Sequence, residues 1–176
     1  RDAPAGLAAR PSFPPMQPGL LFRFAAVADP QIGFMNRDFD LWAFETAVKQ
    51  INEAGAEFTV ILGDLVHDGD DEAAYQQVKL RAERFAGAWY AVRGNHDPEQ
   101  VYTRLVRKEL DYSIEHKGVR LVVFDAVGGR KPMPAEQLDW LETQFKEARA
   151  KNQIVVLCSH CSPWDKNDRG AAAYNQ

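Results

Sequence analysis

The chain has 176 residues, 45% hydrophobic and 26% charged, which suits one domain with a sizeable core and excludes a disordered, collagenous or two-domain chain. Its 21 Lys and Arg against 25 Asp and Glu leave a formal net charge of -4, so no positive excess attracts nucleic acid or an anionic membrane by charge alone, and a phosphate site needs local cations. No apolar run approaches the roughly 20 residues that span a bilayer, and Cys158 and Cys161, three positions apart, imply no disulfide framework.

Residues 1–20 hold Pro4, Pro11, Pro14, Pro15 and Pro18, a composition that cannot run a helix or a central strand, so an extended arm is expected before a domain over 21–176. The first residue is Arg1, as in a trimmed or processed start, and the compartment is left open between cytoplasmic and exported. From Leu21 to Ala28 a short continuous apolar run ending at Asp29-Pro30 predicts a buried strand. Leu41, Phe44, Val48 and Ile51 then mark an amphipathic helix over Asp38–Asn52, capped by Asp38 or Asp40 and ended by Gly55. The alternation repeats with strand Phe58–Leu62, a helix over Glu72–Phe85 and strand Trp89–Val92. Asp111–Glu115 and Val119–Asp125 flank Lys117-Gly118 as an antiparallel hairpin. A helix over Pro134–Ala150, with Leu138, Leu141 and Phe145 on its apolar face, leads to strand Ile154–Cys158. The order predicts a layered α/β fold with several parallel strands.

Ligands of open α/β sheets bind beyond the carboxyl ends of the strands. There this sequence places Asp29-Pro30-Gln31, Gly63-Asp64 through His67-Asp68-Gly69, Gly94-Asn95-His96-Asp97 and Ser159-His160-Cys161. Asp29, Asp64, Asn95, His67, His96 and His160 are thus expected on one edge. Such a group is poorly satisfied unless a cation sits within it, and mixed oxygen and imidazole donors suit Mn, Fe or Zn. Two ions about 3.5–4 Å apart need a bridging carboxylate, for which Asp64, held by the Gly63 turn, is placed best.

Gly63-Asp64 with Gly69, then Gly94-Asn95-His96-Asp97, then His160 after a strand, resembles the calcineurin-like metallophosphoesterases over about Phe22 to Trp164. Ala28-Asp29-Pro30-Gln31 resembles the branch with Gln where most members have Asp-x-His. The resemblance implies a layered sandwich with mixed sheets. It implies a dinuclear centre in which Asp29 binds the first ion, Asp64 bridges, and Asn95 and His160 bind the second. His96 would contact the phosphate and protonate the leaving oxygen. Gln31 puts an amide in place of an imidazole ligand, and His67 stands where some members place an Asp that orients the catalytic His.

The family closes its site with a Gly-His-x-His segment on strands of the second sheet, and no such segment precedes Gln176. Two ligands are therefore expected to be missing, with an apolar face uncovered and the fold incomplete at the C-terminus. A longer natural chain is expected, or a partner chain or swapped segment that completes it; the tail over 167–176 has no strong core pattern.

Among the other candidates, Asp97 reads as a turn residue and His116 as part of the hairpin turn. Arg93 could face phosphate or pair with a carboxylate. Cys158 reads as core, and Cys161 lies nearer the site. Trp42, Phe44, Phe85, Trp89 and Trp140 read as core, and Trp164 as a wall of the substrate pocket. The expected function is metal-dependent hydrolysis of phosphate monoesters or diesters by metal-activated water, on a phosphorylated substrate. The alternative is an inert scaffold of the same fold. A Rossmann-type nucleotide module is disfavoured because no Gly-x-Gly-x-x-Gly follows the first strand.

Overall fold

The computed structural model describes residues 22–126 and 133–162, so the proline-rich arm, Trp164 and the tail over 167–176 lie outside the described residues. Strands and helices alternate through β1 (Phe24–Val27), α1 (Arg37–Glu53), β2 (Phe58–Leu62), α2 (Glu72–Ala82), β3 (Ala88–Val92) and α3 (Glu99–Leu105). The three strands form a parallel sheet of order β1-β2-β3, with Phe24 opposite Phe58 and Phe58 opposite Ala88. A hairpin of β4 (Tyr112–His116) and β5 (Val119–Val123) follows, then α4 (Ala135–Ala150) and β6 (Ile154–Cys158). This second sheet has the order β4-β5-β6, antiparallel at the hairpin and parallel where β6 joins β5.

The period of two along each strand sorts side chains into layers. Phe58, Val60, Val92, Tyr112, Leu121, Val123 and Cys158 form one buried cluster between the two sheets. Ile61 and Ala91 join a second with Phe44 and Val48 of α1, Tyr75 and Val78 of α2, and Tyr102 of α3. Val122 and Phe124 meet Leu141 of α4 in a third. The result is a helix–sheet–sheet–helix sandwich with one mixed sheet, the class expected from the sequence. Fully burying an aliphatic side chain of this kind contributes roughly 1.5–3 kcal/mol, and Val60, Ile61, Leu65 and Val66 are 0% exposed. The centre of the stability thus lies directly beneath the carboxyl end of β2.

Several boundaries and placements differ from expectation. The cap of α1 is Asn36, whose side chain accepts from the N–H of Asp38 and Phe39, because Asp40 is turned inward and used elsewhere. Gly55 closes the helix as expected, at φ +70, with Ala56 N bonded to Ile51 O in a Schellman arrangement. Helix α2 ends at Ala82 rather than Phe85, since Arg84 and Phe85 bond three residues back and tighten the last turn. The seven-residue α3 has no counterpart among the predicted elements. His116 is the last residue of β4, and its Nε2 lies 2.7 Å from Glu57 Oε2. Trp42, read from the sequence as core, is 36% exposed, and Leu138 and Phe145, read as part of the apolar face of α4, are 43% and 41% exposed. On β6, Ile154 and Leu157 are also exposed.

Candidate metal centre

The loops beyond β1 and β2 begin with backbone that ordinary side chains avoid. Asp29, Gln31 and Asp64 have φ of 52°, 37° and 49°, next to Gly63 at 84°. Each non-glycine residue in this left-handed region stores on the order of 1 kcal/mol or more, and persists only where its surroundings over-determine it. Here the two loops prolong the sheet: Gln31 N donates to Asp64 O (2.9 Å), Ile32 N to Leu65 O (3.2 Å) and His67 N to Ile32 O (3.1 Å).

Two buried carboxylates lock these loops from behind. Asp40 accepts from Gly33 N (2.9 Å) and Met35 N (3.3 Å). Asp97 accepts from Leu65 N (3.1 Å), Gly94 N (2.9 Å) and the Tyr75 hydroxyl (2.8 Å), which ties the β2 loop to the β3 loop. Burial pushes the Asp97 pKa up even though these three donors pull it down. Tyr75 is pushed well above its ordinary range by burial and by Asp97.

Glycines let the loops close on one another. A Cβ on Gly94 would stand 2.0 Å from Asp64 N and 2.1 Å from its Oδ1, and one on Gly63 would stand 2.6 Å from the His160 ring. With that contact open, Asp64 Oδ1 accepts from His96 N (2.8 Å) and lies 3.4 Å from His160 Nε2. Asp29 Oδ1 is 4.0 Å from His160 Nδ1. Asp29, Asp64 and His160 each offer one ligand atom, all within 4.8 Å of one another. Asn95 joins them through its Oδ1, 3.0 Å from His160 Nε2.

This donor set fits a cation. His160 Nδ1 is 2.8 Å from Leu62 O and must carry the proton of that hydrogen bond. In the neutral ring Nε2 then presents a lone pair, and it faces Asn95 Oδ1 and Asp64 Oδ1, which are acceptors as well. Lone pairs converging in a half-buried site repel unless positive charge lies between them. A histidine that donates its other ring N–H to a backbone carbonyl is also the usual posture of a metal ligand.

The remaining candidates surround this group without entering it. His96 is held by its Nδ1 against His67 O (2.8 Å), which leaves Nε2 without a hydrogen-bond partner among the described residues. The orienting contact thus comes from the main chain of His67. The His67 imidazole stacks on His96 (5.2 Å between centroids, 27°) and meets the Phe34 ring edge-on at 5.2 Å. Gln31 turns its amide Nε2 toward Asp64 Oδ2 (3.4 Å), leaving its carbonyl oxygen as its one ligand atom. Arg93 pairs with Asp125 through Nε (3.1 Å) and reaches Asp97 O (3.4 Å), so of the two options open for it the structure shows the carboxylate. Cys161 Sγ lies 4.0 Å from Asn95 Oδ1, and burial, Asp64 and Asp125 push its thiol up.

Sequence reasoning missed Asp40 and Asp125. A sign of the first was present: Asp40 precedes Phe44 and Val48 at spacings of four, on the apolar stripe of α1, where a carboxylate needs a dedicated partner. Asp125 carried no comparable sign, since its partner Arg93 is 32 residues away.

The four-layer sandwich agrees with the comparisons to known proteins. The chain belongs to the calcineurin-like phosphoesterase family, whose sequence profile matches residues 22–175. Its fold is similar to a dimetal phosphatase from Danio rerio, at 15% identity and a TM-score of 0.66, covering 79% of this chain and 69% of that one. It is also similar to purple acid phosphatase PPD1 from yellow lupin (Lupinus luteus) seeds, at 14% identity and a TM-score of 0.59, covering 77% of this chain and 29% of that one. No curated protein sequence matches significantly.

Proposed function

We propose that the chain hydrolyses phosphate esters at the Asp29–Asp64–Asn95–His160 centre with two divalent or trivalent ions of Mn, Fe or Zn. Family membership and the convergence of lone pairs on one point support this reading, and the second observation carries it. Asp29, Asp64 and the Gln31 carbonyl oxygen would hold one ion; Asp64, Asn95 and His160 Nε2 would hold the other. Bound there, such ions supply positive charge for the phosphoryl oxygens and a nucleophilic water at neutral pH.

The protein's own part is positioning and proton delivery. Asp64 is fixed by the His96 N–H and by the close approach of Gly94, so its carboxylate would be offered to the ions without searching rotamers. His160 is fixed by Leu62 O. His96 keeps its Nδ1 proton on His67 O, so a second proton would sit on Nε2 and pass from there to the leaving oxygen. The expected partner is a phosphorylated substrate.

The test assays an aryl phosphate and a phosphodiester with added Mn, comparing wild type with Asp64→Asn. The proposal expects a loss of at least about 100-fold, the scale on which removing one preorganised electrostatic group slows an enzyme. Equal rates overturn it. A second reading, a binding protein with one ion and little turnover, is favoured by the Gln31 amide nitrogen facing Asp64. Elemental analysis finding two ions per chain together with turnover removes that reading.

A further inference from the structure

Two large apolar side chains stand open to solvent on the loop that follows Asp29: Phe34 is 57% exposed and Met35 72%. They are not on a slack loop. Phe34 N donates to Gln31 O (2.9 Å), Met35 N and Gly33 N donate to the buried Asp40 carboxylate, and Ile32, two residues before Phe34, is 1% exposed. Gly33 supplies the left-handed turn, at φ +102, that lifts the pair outward. A rigid backbone that holds a phenyl ring and a thioether in water forgoes their burial, and rigidly presented apolar groups beside a polar centre are the usual lining of a ligand site. Methionine in particular adapts its shape to what it meets.

Ring contacts tie this surface to the proposed proton donor. The His96 ring stacks on His67, and His67 meets the edge of Phe34. The three rings form a row from the proposed proton donor to Phe34, the residue before Met35. A leaving group protonated by His96 thus has this exposed apolar surface two rings away, where the far end of a long apolar substituent can meet it.

We propose that Phe34 and Met35 form an apolar shelf for the leaving group, and that the substrates are phosphate esters of alcohols bearing an aromatic or similarly bulky apolar group. This rests on the hydrolytic reading for its orientation, but its test does not depend on turnover. The affinities of 2-phenylethylphosphonate and ethylphosphonate, which cannot be hydrolysed, are measured by calorimetry on the Mn-supplemented protein. The shelf predicts that the phenyl compound binds about 5- to 10-fold more tightly, the scale of one aromatic contact. Phe34→Ala removes that preference, Phe34→Tyr keeps most of it, and Leu138→Ala on α4, also apolar and exposed, leaves it unchanged.

Equal affinity of the two phosphonates, no binding of either, or a preference that survives Phe34→Ala overturns the shelf. The corresponding esters, 2-phenylethyl and ethyl phosphate, are assayed in parallel. Their leaving alcohols differ little in basicity, so a difference in kcat/KM reads recognition. A phosphonate preference without turnover of either ester sinks the hydrolytic reading, and with it the ester class of the substrate, and leaves the apolar shelf standing as a binding surface.

Discussion

Two buried polar clusters in this protein have opposite electrostatic designs. On the second sheet, Arg120 is 3% exposed and each of its three nitrogens is directed at an acceptor: Nη1 to Gln144 (2.7 Å) and Glu147 (2.8 Å), Nη2 to Glu115 (2.6 Å) and Nε to Gln153 (3.1 Å). At the carboxyl ends of the first sheet, Asp64 is 4% exposed, and around it Asp29, Asn95 and His160 add further acceptors. The first cluster closes within the protein. The second closes only when something positive is added. Burial of polar atoms is common to both, so burial alone does not distinguish a structural network from a functional one; the balance of donors against acceptors does.

The comparison is broken most forcefully at Gly94. A methyl group there would stand 2.0 Å from Asp64 N, so the β2 and β3 loops must separate. Displacing catalytic groups by about 1 Å lowers rates about 100-fold, and Gly94→Ala is expected to lower kcat/KM by at least that factor and weaken metal binding, checked by kinetics and metal titration. If Gly94→Ala retains wild-type turnover, close approach of the loops is irrelevant to the chemistry.

The Arg120 cluster is expected to fail in the other currency, stability without chemistry. Arg120→Ala leaves the Gln144 carbonyl, on a residue only 7% exposed, without its donor, and removes a packed side chain between β5 and α4. The solvent-exposed positions of Glu115 and Glu147 soften the effect, so about 2–3 kcal/mol is expected, below the 3–5 of a fully buried pair. Urea unfolding reads this loss, and specific activity of the folded fraction stays within about two-fold. A large drop in specific activity at unchanged stability would show that the second sheet communicates with the site.

Arg120 also explains where sequence reasoning about α4 went astray. Leu138, Leu141 and Phe145 have the spacing of an apolar stripe, and by hydrophobicity alone that stripe should face the sheet. The observed inward residues are Leu141, Gln144 and Ala148, and the Gln144 side-chain carbonyl accepts from the buried guanidinium. A tertiary hydrogen bond over 24 residues is invisible to a local period. The strands β2, β5 and β6 and helix α1 were legible because their patterns are local and strong. The seven-residue α3 was not, since little more than one apolar turn marks it. Likewise the candidate centre was legible where a short motif carries it, as in Gly63-Asp64 and Gly94-Asn95-His96-Asp97. The parts supplied from a distance, such as Asp40 holding Gly33 and Met35, were not.

The smallest effect is expected at the amino-terminal end of β2, opposite Asp64. Glu57 accepts from Lys117 Nζ (2.7 Å) and lies 2.7 Å from His116 Nε2, joining the hairpin to the first sheet with opposite charges already in place. The Lys117 hydrogen bond, then that of His116, holds its carboxyl below the ordinary 4.5. A carboxylate depressed in the folded state contributes stability above its unfolded pKa and loses it as pH falls through the lower folded value. Glu57→Gln should therefore lower Tm at neutral pH by no more than about a degree, as exposed ion pairs do. That difference from wild type should vanish on acidification below 4.5 and shrink in high salt. Phosphoesterase activity should not change, because this pair is complete without a ligand; a change in turnover would mean that donor–acceptor balance fails to separate the two ends of the strand.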